Sequence, residues 1–567
     1  MKGLTPWGGC RMCIVEIKGS PKAVPSCATP ATDGSVVVTN SPHLRQLRRL
    51  TLELLFSERN HICPICPMNK GDCDLQQSAY KFGIDSIRYP YLYPALPEDV
   101  SGKYFGLDHN RCILCTRCVR TCDEIEGVHT LDIGNRGVKN QIVVDLNVTF
   151  GESTTCTSCG SCVAACPTGA LFDKTAAFHG PLATCRQTRS TCTECPVGCG
   201  VIVYSRDNRV VDVFGDPESP VNHGHLCVRG RYGTWSEPRP RITRPLVRRD
   251  GTLHPATWDE ALAAVRAAIS HTSDWQSALL ISPRMTNQIA RTLLTIGHHF
   301  DRVGMFVREH EAALCASPEY SEGAMGRLQD ADAIIVLGVE PGRTHGVLAS
   351  KIRAAVRKRG ARLVILNARH SDLDAYADVA APVVSLERKF WKSLGETLGK
   401  AKRPVLIHGP QAMTPVGITI LDRLIEALDQ NDADGRTLAA IQLSTEPNSL
   451  ALAAAGVEAV EDFSAWLDVQ PLDYLHIVAG DEPDGGARLL KEKHVRAGLE
   501  QIDFVVAQAA YESELTRAAH VVLPSSVWSE KDGSTTNFEG RELPLRAAVA
   551  PHGQAREDNA ILETIFT

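Results

Sequence analysis

Residues 111–122 read RCILCTRCVRTC and residues 156–167 read CTSCGSCVAACP. Each run has three cysteines separated by two residues and a fourth after three more: Cys112, Cys115, Cys118, Cys122, then Cys156, Cys159, Cys162, Cys166, with Pro167 following. Three thiolates at this spacing wrap one corner of an iron–sulfur cubane, and in a two-cluster ferredoxin the fourth cysteine of each run ligates the other cluster. The two [4Fe–4S] sets are therefore Cys112, Cys115, Cys118 and Cys166, and Cys122, Cys156, Cys159 and Cys162. Gly160 and Ser161 are small enough to let the backbone approach closely. Zinc ribbons use separated C-x-x-C pairs, not four cysteines in 11 positions, so the spacing favours cubanes.

Working outward, nineteen of the 20 cysteines precede residue 230. On the C-terminal side Cys192, Cys195, Cys199 and the more distant Cys227 (CTECPVGC…HLCVRGR) supply four thiolates for another [4Fe–4S] cluster, with a zinc site as the less specific alternative. On the N-terminal side HICPICPMNKGDC supplies Cys63, Cys66 and Cys73, with His61 close by. Three thiolates leave one iron corner open, and an imidazole can fill it. Nearest the start, Cys10, Cys13 and Cys27 form an incomplete [2Fe–2S] set: the plant-type arrangement needs a fourth cysteine upstream of the close pair, and residues 1–9 contain none. Cys185 and Cys315 are left over, and Cys185 reads as a small buried hydrophobe.

The 567 residues exceed what one hydrophobic core organises, so several domains are expected. A formal net charge of −6 gives no basic field for nucleic acid. No run of 18 apolar residues appears, and MKGLTPW lacks a signal core, so a cytoplasmic location is expected, docked on the cytoplasmic face of a membrane through partners if at all. Reducing conditions there disfavour disulfides and turn a cysteine-rich chain toward metal chemistry.

From about residue 240 the pattern changes. The runs at 278–282, 333–338, 362–367, 404–409, 474–480 and 503–508 read as buried parallel strands. Helical stretches such as Trp258 to Ile269 and 345–360 lie between them, which predicts a doubly wound α/β domain. Gly338 and Gly409 follow strands, yet neither opens a G-x-G-x-x-G fingerprint, so no bound dinucleotide is expected.

These motifs carry a family resemblance. Cys192 to Cys227 with Arg229-Gly230-Arg231 behind them, and the blocks RPLVRRDGTLHPATWDEAL, DADAIIVLGVEPGRTHGVLASKIRAAVRKRGARLVILNARHSDLDAYAD and AAHVVLPSSVWSEKDGSTTNFEGRELPLRAAV, resemble the molybdopterin oxidoreductase superfamily over 190–567. Residues 1–180 resemble the electron-input segment of the complex I large iron–sulfur subunit, the diaphorase small subunit of NAD-linked hydrogenases and formate dehydrogenase alpha subunits. The resemblance implies a multidomain α/β layout: a plant-type [2Fe–2S] ferredoxin-like part at 1–50, a one-histidine/three-cysteine [4Fe–4S] module at 51–95, a two-cluster ferredoxin-like module at 96–180, a [4Fe–4S] molybdopterin-oxidoreductase-type domain at 181–240, and a molybdopterin-oxidoreductase-like domain at 241–567.

It also implies an iron–sulfur electron-transfer subunit of an NAD(P)H-linked complex. The partners would be a flavin- and NAD(P)H-binding subunit, a thioredoxin-like [2Fe–2S] subunit, and a hydrogenase, quinone-reducing or other acceptor. The alternatives are a catalytic molybdenum or tungsten subunit such as formate dehydrogenase and a zinc-stabilised scaffold. Catalytic relatives carry a Cys or selenocysteine metal ligand followed by His, whereas Cys315 in HEAALCASPEY is followed by Ala316, with His310 and His345 the histidines nearby. They also continue into a domain that closes over the pterin, and here the chain stops at Thr567. A buried open metal site needs a complete wall, so no molybdenum or tungsten pterin and no catalytic acid or base is expected.

Overall fold

The apolar runs of the second half become strands because helices cover both faces of the sheets they join. In the computed structural model, which describes residues 3–567 except 67, 69–71, 234, 270–275, 384–387, 399–400, 430–437 and 492, the chain divides into two units. One comprises Met1–Arg186, Val211–Glu218 and His223–Arg231, and the other Gln187–Val210, Ser219–Asn222 and Tyr232–Thr567.

The larger unit holds two sheets. The eight-stranded one runs Thr252–Pro255, Leu246–Arg249, Val521–Pro524, Phe504–Ala509, Tyr474–Gly480, Ser277–Ile281, Arg302–Phe306, Glu458–Val460. Its first two neighbour pairings are antiparallel and the rest parallel. Successive residues of Ser277–Ile281 point into opposite cores: Leu279 and Ile281 pack with Trp258, Val265 and Ile561, Ala278 and Leu280 with Phe463, Trp466 and Leu499. Helix Trp258–Ile269 buries Trp258, Ala261, Leu262, Val265 and Ala268, one helical stripe. It starts on a capping box in which the Glu260 carboxylate accepts from the Thr257 N–H (2.8 Å) and the Thr257 hydroxyl accepts from the Glu260 N–H (3.2 Å). The second sheet, Val379–Ala381, Arg362–Leu366, Ala333–Leu337, Pro404–His408, Ala439–Gln442, is wholly parallel.

The single doubly wound domain expected from the sequence is thus two sheets that divide the strands between them. Apolar periodicity reports that a strand is buried on both faces, not which neighbour it pairs with. The chain leaves the first sheet after Arg302–Phe306, builds the second, and returns at Glu458–Val460. Gly338 and Gly409 also prove to be more than turn residues. Gly338 has φ +67°, and a Cβ there would lie 2.2 Å from the Ala412 nitrogen. A Cβ on Gly409 would lie 2.5 Å from that of Val339. The loop after Pro404–His408 therefore packs closely against the end of Ala333–Leu337, where a ligand crevice would open.

In the smaller unit the antiparallel sheet Ala23–Pro25, Ile14–Ile17, Val37–Val38 precedes helix Pro42–Glu58. That helix has Pro42 in its first turn and the Ser41 hydroxyl accepting from the Leu44 N–H at 3.1 Å. Just beyond it the buried Arg59 guanidinium donates to the carbonyls of His109 (2.9 Å) and Asn140 (2.6 Å), tying the helix to the ferredoxin-like part. That part comprises the sheet Glu98–Asp99, Phe105–Asp108, Leu171–Asp173, the hairpin Leu131–Gly134 with Gln141–Val144, and the short helices Arg117–Thr121 and Ser161–Ala165. Arg231 fastens the later segments to it, reaching Asp173 at 2.7 Å, the Val213 carbonyl at 2.9 Å and the Phe214 ring face at 3.7 Å.

Candidate iron–sulfur sites

The two cysteine runs fold alike because each repeats the same backbone strain. Leu114 (φ 51°) and Thr116 (φ 58°) in the first run occupy the positions of Ser158 (φ 54°) and Gly160 (φ 69°) in the second, all left-handed. Non-glycine residues in that region cost free energy and persist where a site demands them. Here they curl the loop so that N–H groups point at sulfur: Leu114 N–H to Cys112 Sγ and Ser158 N–H to Cys156 Sγ, both at 3.4 Å, with Thr130 N–H at 3.2 Å from Cys122 Sγ. Each loop then opens a short helix, Arg117–Thr121 or Ser161–Ala165.

Cys112, Cys115, Cys118 and Cys166 line one void, walled by Leu107, Ile142 and Leu171. Cys122, Cys156, Cys159 and Cys162 line another, with Phe105, Phe150 and Glu126. The fourth cysteine of each run lies with the other run's three. Burial pushes the Cys112 thiol up to about 12 and Cys122 up to about 11, and raises Cys118, Cys159 and Cys162 as well. Buried thiolates this crowded require a positive centre to stay charged. Among the described residues no group of three or more His, Cys, Asp or Glu side chains gathers around a single ion. The thiols ring voids instead, which is the arrangement that a multi-iron cluster fits.

His61, Cys63, Cys66 and Cys73 line a third void with Phe56, Met68 and Gly169. Cys73 caps helix Asp74–Lys81, its sulfur 3.5 Å from the Gln76 N–H. The His61 Nε2 is buried without a hydrogen-bond partner. Burial, then Arg111 and Arg59, pushes its imidazole down to about 4, which keeps the nitrogen lone pair available. A Cβ on Gly169 would stand 2.5 Å from Cys66 Sγ, so only glycine leaves this wall open. Pro67, Asn69, Lys70 and Gly71 of the quoted motif lie outside the described residues.

Cys192, Cys195 and Cys199 lie on the loop between strands Arg186–Thr191 and Gly200–Arg206, which the Cys192 N–H closes on the Cys199 carbonyl at 2.8 Å. A Cβ on Gly198 would meet Leu543 at 2.5 Å. Cys227 belongs to the smaller unit and precedes helix Val228–Tyr232. At the N-terminus Cys13 and Cys27 interact directly. Burial pushes the Cys13 thiol up, but the Cys27 N–H and thiol and Ser26 outweigh it and hold Cys13 below its ordinary value. The hydrogen bond with Cys13, then burial, raise the Cys27 thiol, with a smaller contribution from Cys10, and Cys10 and Cys27 are exposed. Cys185 is buried, 3.8 Å from the Pro181 carbonyl. Cys315 sits on helix Glu311–Ala316 in the apolar core with Met285 and Leu452, where burial and then Glu311 push its thiol up to about 12.

With these sites in view, the sequence matches five family profiles. They are a 2Fe-2S iron-sulfur cluster binding domain (2–42), the NADH-ubiquinone oxidoreductase-G iron-sulfur binding region (48–88), the NADH-quinone oxidoreductase subunit 3 ferredoxin-like domain (102–172), the molybdopterin oxidoreductase Fe4S4 domain (185–235), and molybdopterin oxidoreductase (241–416 and 487–567). The chain is thus similar, segment by segment, to complex I iron–sulfur domains and to molybdopterin oxidoreductases. It is an iron–sulfur electron-transfer subunit of an oxidoreductase and binds both [4Fe–4S] and [2Fe–2S] clusters.

Two relatives align along nearly its whole length. The NADPH-Fe(3+) oxidoreductase subunit alpha of Geobacter sulfurreducens is 28% identical over 100% of this chain and 77% of its own. The mitochondrial NADH-ubiquinone oxidoreductase 78 kDa subunit of Candida albicans is 26% identical over 98% of this chain and 76% of its own. A chain from an H2-reduced NAD+-reducing [NiFe]-hydrogenase is 38% identical over 32% of this chain and 75% of its own, with a TM-score of 0.29.

Sequence reasoning missed the polar groups around the sites. Buried Arg284 donates to Asp481 at 3.3 Å and lies 3.8 Å from Glu194, the residue just before Cys195. Lys531 lies 3.8 Å from Asp481 and 3.5 Å from Asp558. Burial pushes the Asp481 carboxyl up, but Lys531 and Arg284 outweigh it and hold it below its ordinary value. These ion pairs stand just beyond strands Ser277–Ile281 and Tyr474–Gly480, at the sheet's carboxyl end. Nothing in the spacing of Arg284, Asp481 and Lys531 announces them, because partners far apart in sequence are brought together only by the fold. Glu126 and His225 were missed as well, although Glu126 stands four residues after Cys122, one helical turn on.

Proposed function

We propose that this chain holds four [4Fe–4S] clusters and a [2Fe–2S] centre, and relays single electrons from a flavin subunit oxidising NAD(P)H to a downstream acceptor. The ligand sets are those read from the sequence: Cys112, Cys115, Cys118 and Cys166; Cys122, Cys156, Cys159 and Cys162; His61, Cys63, Cys66 and Cys73; Cys192, Cys195, Cys199 and Cys227; and, for the [2Fe–2S] centre, Cys10, Cys13 and Cys27. The observation that carries this reading is that three of these sets each line their own pocket, with the fourth cysteine of each ferredoxin-type run joining the other run's three.

Bound clusters supply one-electron chemistry at potentials set by ligation, burial and hydrogen bonds to sulfur. The chain's own residues ligate through thiolate, exclude water with Leu107, Ile142, Phe105 and Phe150, and donate to sulfur from Leu114, Ser158 and Thr130. The five-part division at 1–50, 51–95, 96–180, 181–240 and 241–567 assigns the clusters to the first four parts. The superfamily domain at 241–567 then serves as a docking platform. The relatives' names support an NAD(P)H-linked donor and differ in acceptor, Fe(3+) in one and ubiquinone in the other. The partners are a flavin- and NAD(P)H-binding subunit, a thioredoxin-like [2Fe–2S] subunit and an acceptor subunit. We place the complex in the cytoplasm or on the cytoplasmic face of a membrane. Among the described residues no helix is long and apolar enough to cross one.

The test is to add NADH or NADPH anaerobically to the complex purified with its partners. Bleaching of the iron–sulfur absorption with appearance of reduced-cluster EPR signals is expected, and Cys118→Ala removes part of both. Substrate oxidation by this chain alone, with its cluster signals unmoved by NAD(P)H, contradicts the proposal.

A further inference from the structure

The two cysteine runs are related residue for residue, so the places where the repeat breaks are informative. Cys122 and Cys166 are equivalent, and four residues beyond each stand Glu126 and Ala170. Each lines the void that its own run's fourth cysteine joins: Ala170 the one with Cys112, Cys115 and Cys118, Glu126 the one with Cys156, Cys159 and Cys162. Among the described residues, the first void has no ionisable side chain in its wall besides its cysteines, and the second has a carboxylate.

Glu126 reaches the void because the chain leaves helix Arg117–Thr121 through a wider, π-type turn, Cys122–Glu126, closed by Gly127 at φ 81°. Wider turns of this kind recur at functional sites. The carboxylate is buried, at 3% exposure, and lies 2.9 Å from His225 Nε2, while His225 Nδ1 lies 3.0 Å from the Ser161 hydroxyl. His225 does not line the void, so the negative end of the pair faces the thiols. The carboxylate lines the same pocket as Cys122, Cys156, Cys159 and Cys162. A fixed negative charge beside a cluster disfavours an added electron, and in a buried site it is weakly screened.

We propose that Glu126 holds the cluster ligated by Cys122, Cys156, Cys159 and Cys162 at a lower potential than its twin, so that a single electron in the module rests on the cluster ligated by Cys112, Cys115, Cys118 and Cys166. This rests on the cluster assignment above. Glu126 acts here as a tuning residue and ligates nothing.

The experiment is an EPR-monitored redox titration of the full chain with its partners, comparing wild type, Glu126→Gln and Glu126→Ala, the last copying Ala170. The second cluster's signal is identified by its loss in Cys159→Ser. Both Glu126 variants are expected to shift that cluster's reduction equilibrium at least tenfold toward the reduced form, about 59 mV for one electron, and to leave the other clusters in place. An unchanged potential in whichever variant keeps its iron overturns the proposal, as does a wild-type second cluster no lower than the first. Loss of iron in both variants also counts against it, since the residue would then be structural. Absence of both cluster signals in the wild type would instead overturn the cluster assignment itself.

Discussion

Cys122 and Cys166 exchange places between the two runs, and that exchange is the residue-level feature with the sharpest consequence. Cys166→Ser should remove the cluster held by Cys112, Cys115 and Cys118, about four irons, and spare the one beside Cys156, Cys159 and Cys162. Iron analysis with EPR checks this, and loss of the other signal would show that each run closes on itself. Gly169→Ala should selectively lose the cluster beside His61, because its Cβ would enter 2.5 Å from Cys66 Sγ and the backbone there has little room to yield. Overpacking of this kind costs about 1–3 kcal/mol, and the readout is loss of about four irons with the other signals kept. The cysteine spacings named these sets, and the fold brings three of them each to one void. Glu126, His225 and Arg284 were not legible, because a buried charge is defined by a partner that only the fold supplies.

At the scale of elements, strands were easier to read than sheets. All six apolar runs named from the sequence are parallel strands, since burial on both faces leaves an uninterrupted apolar signature. Their partition into two sheets left no mark, because pairing order depends on the path of the connections. Leu279, wholly buried between strand and helices, should cost about 2–5 kcal/mol on replacement by alanine, measured as a shift in denaturation midpoint. A loss under about 1 kcal/mol would mean that this core repacks freely.

Helix Glu311–Ala316 offers a pH test. Burial pushes the Glu311 carboxyl up to about 7, although the Thr445 N–H donates to it at 2.6 Å. A carboxyl raised above its unfolded value favours the folded chain fully below about pH 4.5 and loses that contribution as pH rises through 7. Glu311→Gln does not titrate. The melting temperature of wild type relative to this variant should therefore fall between about pH 5 and 8, by the equivalent of about 3 kcal/mol at most. A constant difference across that range would show that Glu311 keeps its charge when folded.

For the whole molecule, nearly all the thiols stand in the first 40% of the chain, and the rest builds the two α/β sheets. The proposed conduit fits that distribution, with the ligands concentrated in one part of the chain. The central claim is that these voids hold iron–sulfur clusters and that the chain transfers electrons through them. Metal content per chain, measured on anaerobically purified protein with low-temperature EPR of the reduced sample, tests it most directly. The account predicts about 16 irons from four cubanes, rising to about 18 with the [2Fe–2S] centre, and reduced-cluster signals to match. Zinc in place of iron, or stoichiometric molybdenum or tungsten, would contradict it.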